Sequence, residues 1–181
     1  MVAADERRVQ ADAVVIASGA EAAPMARQLA AKLPLQAGKG YSITIDQPSV
    51  RFRAPLHFAE AKIALTPFEG AHRVAGTMEL SGINRSLNAG RVAALARNAE
   101  REIPGVLAGE ARQDWVGMRP LTPDGLPMIG RLPTRENVFV ATGHQMLGVT
   151  LAASTGEALA QLMLEGRSDT DLRPFDPARF S

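Results

Sequence analysis

The sequence contains no cysteine. Disulfides, cysteine-ligated zinc and thiol nucleophiles are therefore excluded, and a reducing compartment is the natural setting. Aromatic residues make up 4% of the chain, too few for a platform on which single-stranded nucleic acid could stack. An excess of one charge is missing too. Lys and Arg number 20 against 19 for Asp and Glu, so phosphate meets no concentrated basic surface and nucleic acid is not an expected partner. No apolar run reaches the ~18 residues of a membrane span. Met1 to Gln10 is charged and has no apolar leader core, so a cytoplasmic location is expected. The sequence has no HExxH, no Walker A motif, no G-x-G-x-x-G, and no G-x-S-x-G elbow around Ser18 or Ser154. His57, His72 and His144 stand singly, with no metal-ligand spacing between them.

The remainder is ordinary globular material, 46% hydrophobic and 22% charged, in 181 residues that allow one domain or two small lobes. Asp5-Glu-Arg-Arg8 reads as a solvated face. Asp12 to Gly19 is a short apolar run ending in small residues, the pattern of a strand buried on both faces of a parallel sheet. A helix is expected from Ala22 to Leu33, with Met25, Leu29 and Leu33 sharing one face and Pro34 as its stop. This strand, turn and helix make half of a βαβ unit.

The middle of the chain reads as an antiparallel sheet. Tyr41 to Ile45 alternates like a half-exposed strand, and Leu56–Phe58, Lys62–Leu65 and Arg73–Met78 are further strands between prolines and turns. A helix is expected from Ala89 to Ile103, capped by Asn88 and stopped by Pro104. Trp115 to Pro133 is rich in Pro and Gly and reads mostly as loop. Asn137 to Thr142 is a strand, and Val149 to Glu165 a helix. The polar tail from Ser168 drapes over the surface.

Two places invite chemistry. Gly143-His-Gln-Met-Leu-Gly148 opens onto a helix start, where free backbone N–H groups and the helix dipole attract an anion or an electron-rich carbonyl. Gly148, Ala152, Gly156 and Ala160 recur on one side of that helix, which serves either close approach of a ligand or tight helix-on-sheet packing. Arg119, between Trp115 and Pro120, suits bidentate carboxylate binding, with a surface ion pair as the alternative. His144 is the best placed histidine because it lies in the glycine loop. Tyr41, the sole tyrosine, could offer a phenol.

Trp115-Val-Gly-Met-Arg-Pro-Leu-Thr-Pro-Asp-Gly-Leu-Pro-Met-Ile-Gly130, followed by Asn137-Val-Phe-Val-Ala-Thr-Gly-His-Gln-Met-Leu-Gly-Val-Thr150, resembles the C-terminal end of the FAD-dependent D-amino-acid oxidase family. Within it, the sequence is similar to the bacterial D-amino-acid dehydrogenases, including the D-hydroxyproline type. Arg73 to Gly82 and Ala11 to Ala20 fit the same resemblance, in order along the chain.

The resemblance implies an α+β fold: an antiparallel-sheet substrate lobe with helices, plus a C-terminal remnant of a Rossmann-type FAD lobe. It implies a partial FAD lobe over 1–33, a substrate lobe over 34–112 and a return to the FAD lobe over 113–181. Arg119 would take the substrate carboxylate, with Tyr41 and His144 near the same substrate. Ala17, Ser18 and Gly19 would pass near the FAD, and Gly143, Met146, Leu147, Gly148, Val149 and Thr150 would lie along its pyrimidine edge. The implied reaction is hydride transfer from a D-amino acid to flavin, with no acid–base side chain required. Electrons would pass to a quinone or other respiratory acceptor, through at most a peripheral contact at the inner membrane face. The family's fingerprint G-x-G-x-x-G is absent, so the chain is expected to be a C-terminal portion, inactive without its N-terminal half. An exposed sheet edge would favour self-association. A glycine- or sarcosine-type amine oxidase and a non-enzymatic binding module are the alternatives.

Overall fold

The computed structural model describes residues 9–180; the expected Asp5–Arg8 face lies outside them. Two compact units emerge, one from residues up to Gln36 together with those from Arg119 onward, the other Ala37–Met118. These borders fall three and six residues beyond the sequence-based ones, because strands begin or continue there. No described helix is long and apolar enough to cross a membrane.

In the first unit, β1 (Val14–Ile16) pairs in parallel with β8 (Val138–Thr142), Ile16 opposite Val140. β7 (Met128–Arg131) adds antiparallel to the other side of β8. Helix α1 (Ala22–Gln28) is shorter than expected. Ala30 is left-handed at φ 59°, its N–H donates to the Arg27 carbonyl, and the Ala31 N–H reaches back to Ala26. That is a Schellman stop, made here with alanine at the position glycine usually holds. The buried face of α1 is Ala22, Ala23 and Ala26, while Met25 is exposed. Small alanines let the helix lie close on Ile16, Val138 and Val140, with Leu33, Met128 and Leu132 completing this core.

Helix α3 (Ala152–Glu165) starts three residues later than the apolar pattern suggests and ends at a left-handed Gly166. Its buried residues are Ala158 and Leu159, and Leu159 packs with Ile129 and Phe139. The tail is more than a surface drape: Leu172 and Phe175 join that cluster, and Phe180 joins the α1 core.

In the second unit the strand order is β3-β4-β5-β2-β6. β2 (Gln36–Asp46) is buried along most of its length, not half-exposed, because both faces are covered. It pairs antiparallel with β5 (Ala71–Glu79), which pairs with β4 (Ile63–Phe68), and that with β3 (Leu56–Phe58). Helix α2 (Ala89–Glu102) is capped as expected: Asn88 Oδ1 accepts from the Arg91 N–H. Val92, Leu95 and Ala99 press onto Ile43, Ile63, Leu65 and Val74. The segment read mostly as loop is instead the long strand β6 (Ala111–Leu121) followed by a turn and β7. Among the described residues β6 has only β2 beside it, and an edge strand is where proline is tolerated.

Candidate functional site

Parallel pairing of β1 and β8 brings their carboxyl ends together. Open α/β sheets bind ligands outside that end. The loop Ala17-Ser18-Gly19 leaves β1 there, and Gly143 to Thr150 leaves β8. One hydrogen bond ties them: buried Thr142 donates its Oγ1 to the Gly19 carbonyl at 2.8 Å. Gly19 is left-handed at φ 59°, and the space a side chain would take there is open.

The second loop is more elaborate than a simple helix start. The Leu147 N–H returns to the His144 carbonyl and the Leu151 N–H to the Leu147 carbonyl, so a turn precedes α3. Within it, the backbone N–H groups of Gly148, Val149 and Thr150 have no partner among the described residues. Met146 and Leu147 are exposed, and Val149 is 94% exposed. Exposed apolar side chains therefore flank three free donors, a combination that suits an anion or an electron-rich carbonyl oxygen. The small-residue side of α3 does not serve helix packing. Gly148, Ala152, Gly156 and Ala160 are all exposed, and a Cβ at Gly156 would meet nothing.

The loop is held from its other side by β6. Left-handed Gln145 (φ 56°) donates its N–H to the Pro120 carbonyl, and its side-chain amide donates to Thr122 Oγ1 at 2.9 Å. Gly143 lies so close to Thr122 that a Cβ would stand 2.6 Å from the threonine methyl. Sequence reading passed over Gln145 and Thr122. The only available signal was a bulky residue between glycines, where nothing local demands one.

Arg119 stands next to Pro120. Among the described residues it joins no surface ion pair: its Nη1 is buried and has no hydrogen-bond partner there. Burial also pushes its pKa below the ordinary arginine value, the mark of a cation short of solvation. A buried donor of this kind calls for an anion, and a carboxylate matches the guanidinium fork.

His144 is partly buried, and its Nε2 hydrogen-bonds with Thr155 Oγ1 at 3.0 Å, clamping the loop to α3. Burial lowers its pKa, so the ring is neutral near neutrality. Tyr41, in the second unit, is 1% exposed and donates its hydroxyl to Glu79 Oε2 at 2.6 Å. Glu79 also pairs with buried Lys39 at 3.3 Å and with Arg91 at 2.8 Å. Lys39 Nζ goes on to donate to Asn84 Oδ1 and the Ser86 carbonyl. Hydrogen bonds from Ser81 and Tyr41, then Lys39, hold the Glu79 carboxyl at about 2. The buried lysine and its carboxylate were not foreseen. His57 and His72 form no cluster with other ligating groups, and no metal-binding group occurs among the described residues.

A crevice at the carboxyl ends of parallel strands, free N–H donors beside exposed apolar side chains, and an arginine whose Nη1 is buried without a partner among the described residues suit an anionic or electron-rich ligand. Residues 2–162 match the model of the FAD dependent oxidoreductase (DAO) family, and the chain belongs to that family, whose cofactor is FAD. It is 34% identical to a D-amino acid dehydrogenase of Vibrio vulnificus over 93% of this chain and 40% of the relative. It is 30% identical to a D-amino-acid oxidase of Bradyrhizobium diazoefficiens over 99% of this chain and 43% of the relative. The crystal structure of glycine oxidase from Geobacillus kaustophilus superposes with a TM-score of 0.84 at 33% identity, covering 93% of this chain and 46% of that one. The chain thus spans less than half the length of these relatives.

Proposed function

We propose that the chain supplies the substrate-anchoring part and one flavin-facing loop of an FAD-dependent D-amino-acid dehydrogenase. The reaction oxidises a D-amino acid, or a D-proline or D-hydroxyproline type substrate, to its imino acid. The observation that carries this reading is the buried, partnerless Nη1 of Arg119. Arg119 takes the substrate carboxylate and thereby fixes the position of Cα. Bound FAD supplies the hydride acceptor. Gly148, Val149 and Thr150 direct their free N–H groups toward negative charge on the ring edge, and Ala17 to Gly19 border the same crevice. Neutral His144 holds the loop rather than a proton. Tyr41, whose hydroxyl is already donated to Glu79, is left out of the carboxylate anchor.

The remaining parts of the proposal follow from this assignment. The chain works with further polypeptide that carries the phosphate-binding fingerprint its sequence lacks, and by itself it is inactive. Its reducing equivalents go to a quinone or other respiratory acceptor, reached by a peripheral contact at the inner face of the membrane. The outer edge of β1, unpaired among the described residues, favours association with another chain.

In the FAD-loaded protein assembled from both parts, Arg119→Ala raises KM for D-alanine or D-proline about 10- to 100-fold, the range for a lost charge-assisted hydrogen bond. An unchanged KM removes Arg119 from the site. The similarity to glycine oxidase favours a second reading, oxidation of glycine or sarcosine. A substrate panel on the same protein decides between them. A non-enzymatic module instead predicts a cooperative melt indifferent to added FAD.

A further inference from the structure

Gln145 stands in a conformation it has no local reason to adopt. It is left-handed at φ 56°, a region that favours glycine. Its side chain compensates by bridging to the neighbouring strand. The amide nitrogen donates to Thr122 Oγ1 at 2.9 Å, and its reach to the Gly143 carbonyl is 3.4 Å. Thr122 in turn donates to the Leu126 carbonyl at 2.8 Å, so its hydroxyl has a fixed direction. The Gln145 backbone N–H adds a bond to the Pro120 carbonyl at 3.2 Å. Two residues before Gln145, Gly143 is pressed against the Thr122 methyl. One residue before Pro120 is Arg119. On its other side the same loop is tied to Gly19 through Thr142.

We infer that Gln145 is a positioning residue that fixes the distance between the carboxylate anchor at Arg119 and the donor loop Gly148–Thr150. This rests on the proposed function, because it is that reading which makes one end an anchor for substrate and the other a seat for the flavin. Hydride transfer depends steeply on the separation of donor and acceptor. A clasp between the two elements that hold them controls rate more than binding. Glycine would relieve the backbone strain at position 145 and keep the N–H bond to Pro120. It would forgo only the side-chain bridge, so the glutamine is there for the bridge.

The test uses Gln145→Gly and Thr122→Val in the assembled, FAD-loaded protein. Gln145→Gly keeps the left-handed backbone, and its melting temperature stays within a few degrees of the parent. For a D-amino acid substrate, kcat is expected to fall about tenfold while KM moves less than about twofold. Thr122→Val, which also gives up the bond to the Leu126 carbonyl, loses at least as much, and the double variant is no worse than Thr122→Val alone, since the Gln145–Thr122 bond is already missing there. Amide hydrogen exchange at Leu147 and Leu151, measured on the 181-residue chain, accelerates in both variants. Unchanged kcat and unchanged exchange in Gln145→Gly overturn the inference. An equal rise in KM and fall in kcat would do the same, by making the residue a ligand contact. If Arg119→Ala leaves KM unchanged while Gln145→Gly still speeds exchange, the functional reading has failed and the clasp is purely structural. Should Thr122→Val not fold, the Gln145→Gly results alone decide.

Discussion

The hydroxyl of Tyr41 lies 2.6 Å from Glu79 Oε2, a short hydrogen bond between neighbouring strands at a break in their register. Lys39 is opposite Glu79, Tyr41 opposite Gly76, so β5 carries an extra residue between the two pairs. Thr77 occupies that bulge at φ 58°, rare for a β-branched residue, and its Oγ1 accepts from Arg91. Glu79 thus gathers Tyr41, Lys39 and Arg91 at the place where β5 departs from regular pairing.

Tyr41→Phe removes the phenol but leaves the ring in the core. Glu79 retains both cations, so the cost is that of one charge-assisted bond, about 1–3 kcal/mol. Urea unfolding at neutral pH checks this. A variant as stable as the parent would show the bond to be dispensable.

The pH dependence has a definite sign. Unfolded Glu79 titrates near its ordinary value of 4.5, folded Glu79 at about 2. Between those values the unfolded chain binds more protons, so stability from this group is complete above about pH 4.5 and is lost as pH falls toward 2. Asp124, held at about 2 mainly by Arg179, and Asp171, held at about 2 mainly by Arg173, contribute in nearly the same window. Glu79→Gln therefore flattens the acid limb of the stability curve without abolishing it. Denaturant midpoints between pH 5 and 2.5 measure the change in slope.

Helix α1 ends on a strained alanine. Ala30→Gly keeps the Schellman bonds to Ala26 and Arg27 and relieves the left-handed penalty. Against the larger unfolded-state entropy of glycine, the net gain is about 0.5–1 kcal/mol, readable as a rise of a few degrees in melting temperature. A fall would mean that the Ala30 methyl packs productively, although the residue is exposed.

Much of the fold was legible because periodic patterns are local. The parallel strand at Val14–Ile16, the Asn88 cap and the α2 stripe follow from side-chain spacing alone, and the structure has them. But β1 is not buried on both faces as its apolar run suggests: Ile16 is buried while Val15 is 40% exposed, because β1 stands at the edge of its three-stranded sheet. β6 was not legible. Gly117, Pro120 and the Pro- and Gly-rich stretch that follows say loop, and only the place of β6 at the end of the sheet order makes Pro120 tolerable in a strand. The half-exposed pattern of Tyr41–Ile45 misled for a related reason: its polar positions are covered by neighbouring elements, which no local pattern reports.

The candidate site divides in the same way. Sequence by itself determined the residue types: a lone arginine beside a rigid turn, a glycine loop ahead of a helix, and no cysteine, metal cluster or nucleophile motif that would suggest other chemistry. Burial and partnership are properties of distant contacts, so the tertiary structure alone decided which of these groups are free. Among the described residues it left Arg119 Nη1 and the Gly148–Thr150 N–H groups without partners, and engaged Tyr41 with Glu79 and His144 with Thr155. It also brought Gln145 to Thr122 across 23 residues of chain, a bond that no sequence period could announce.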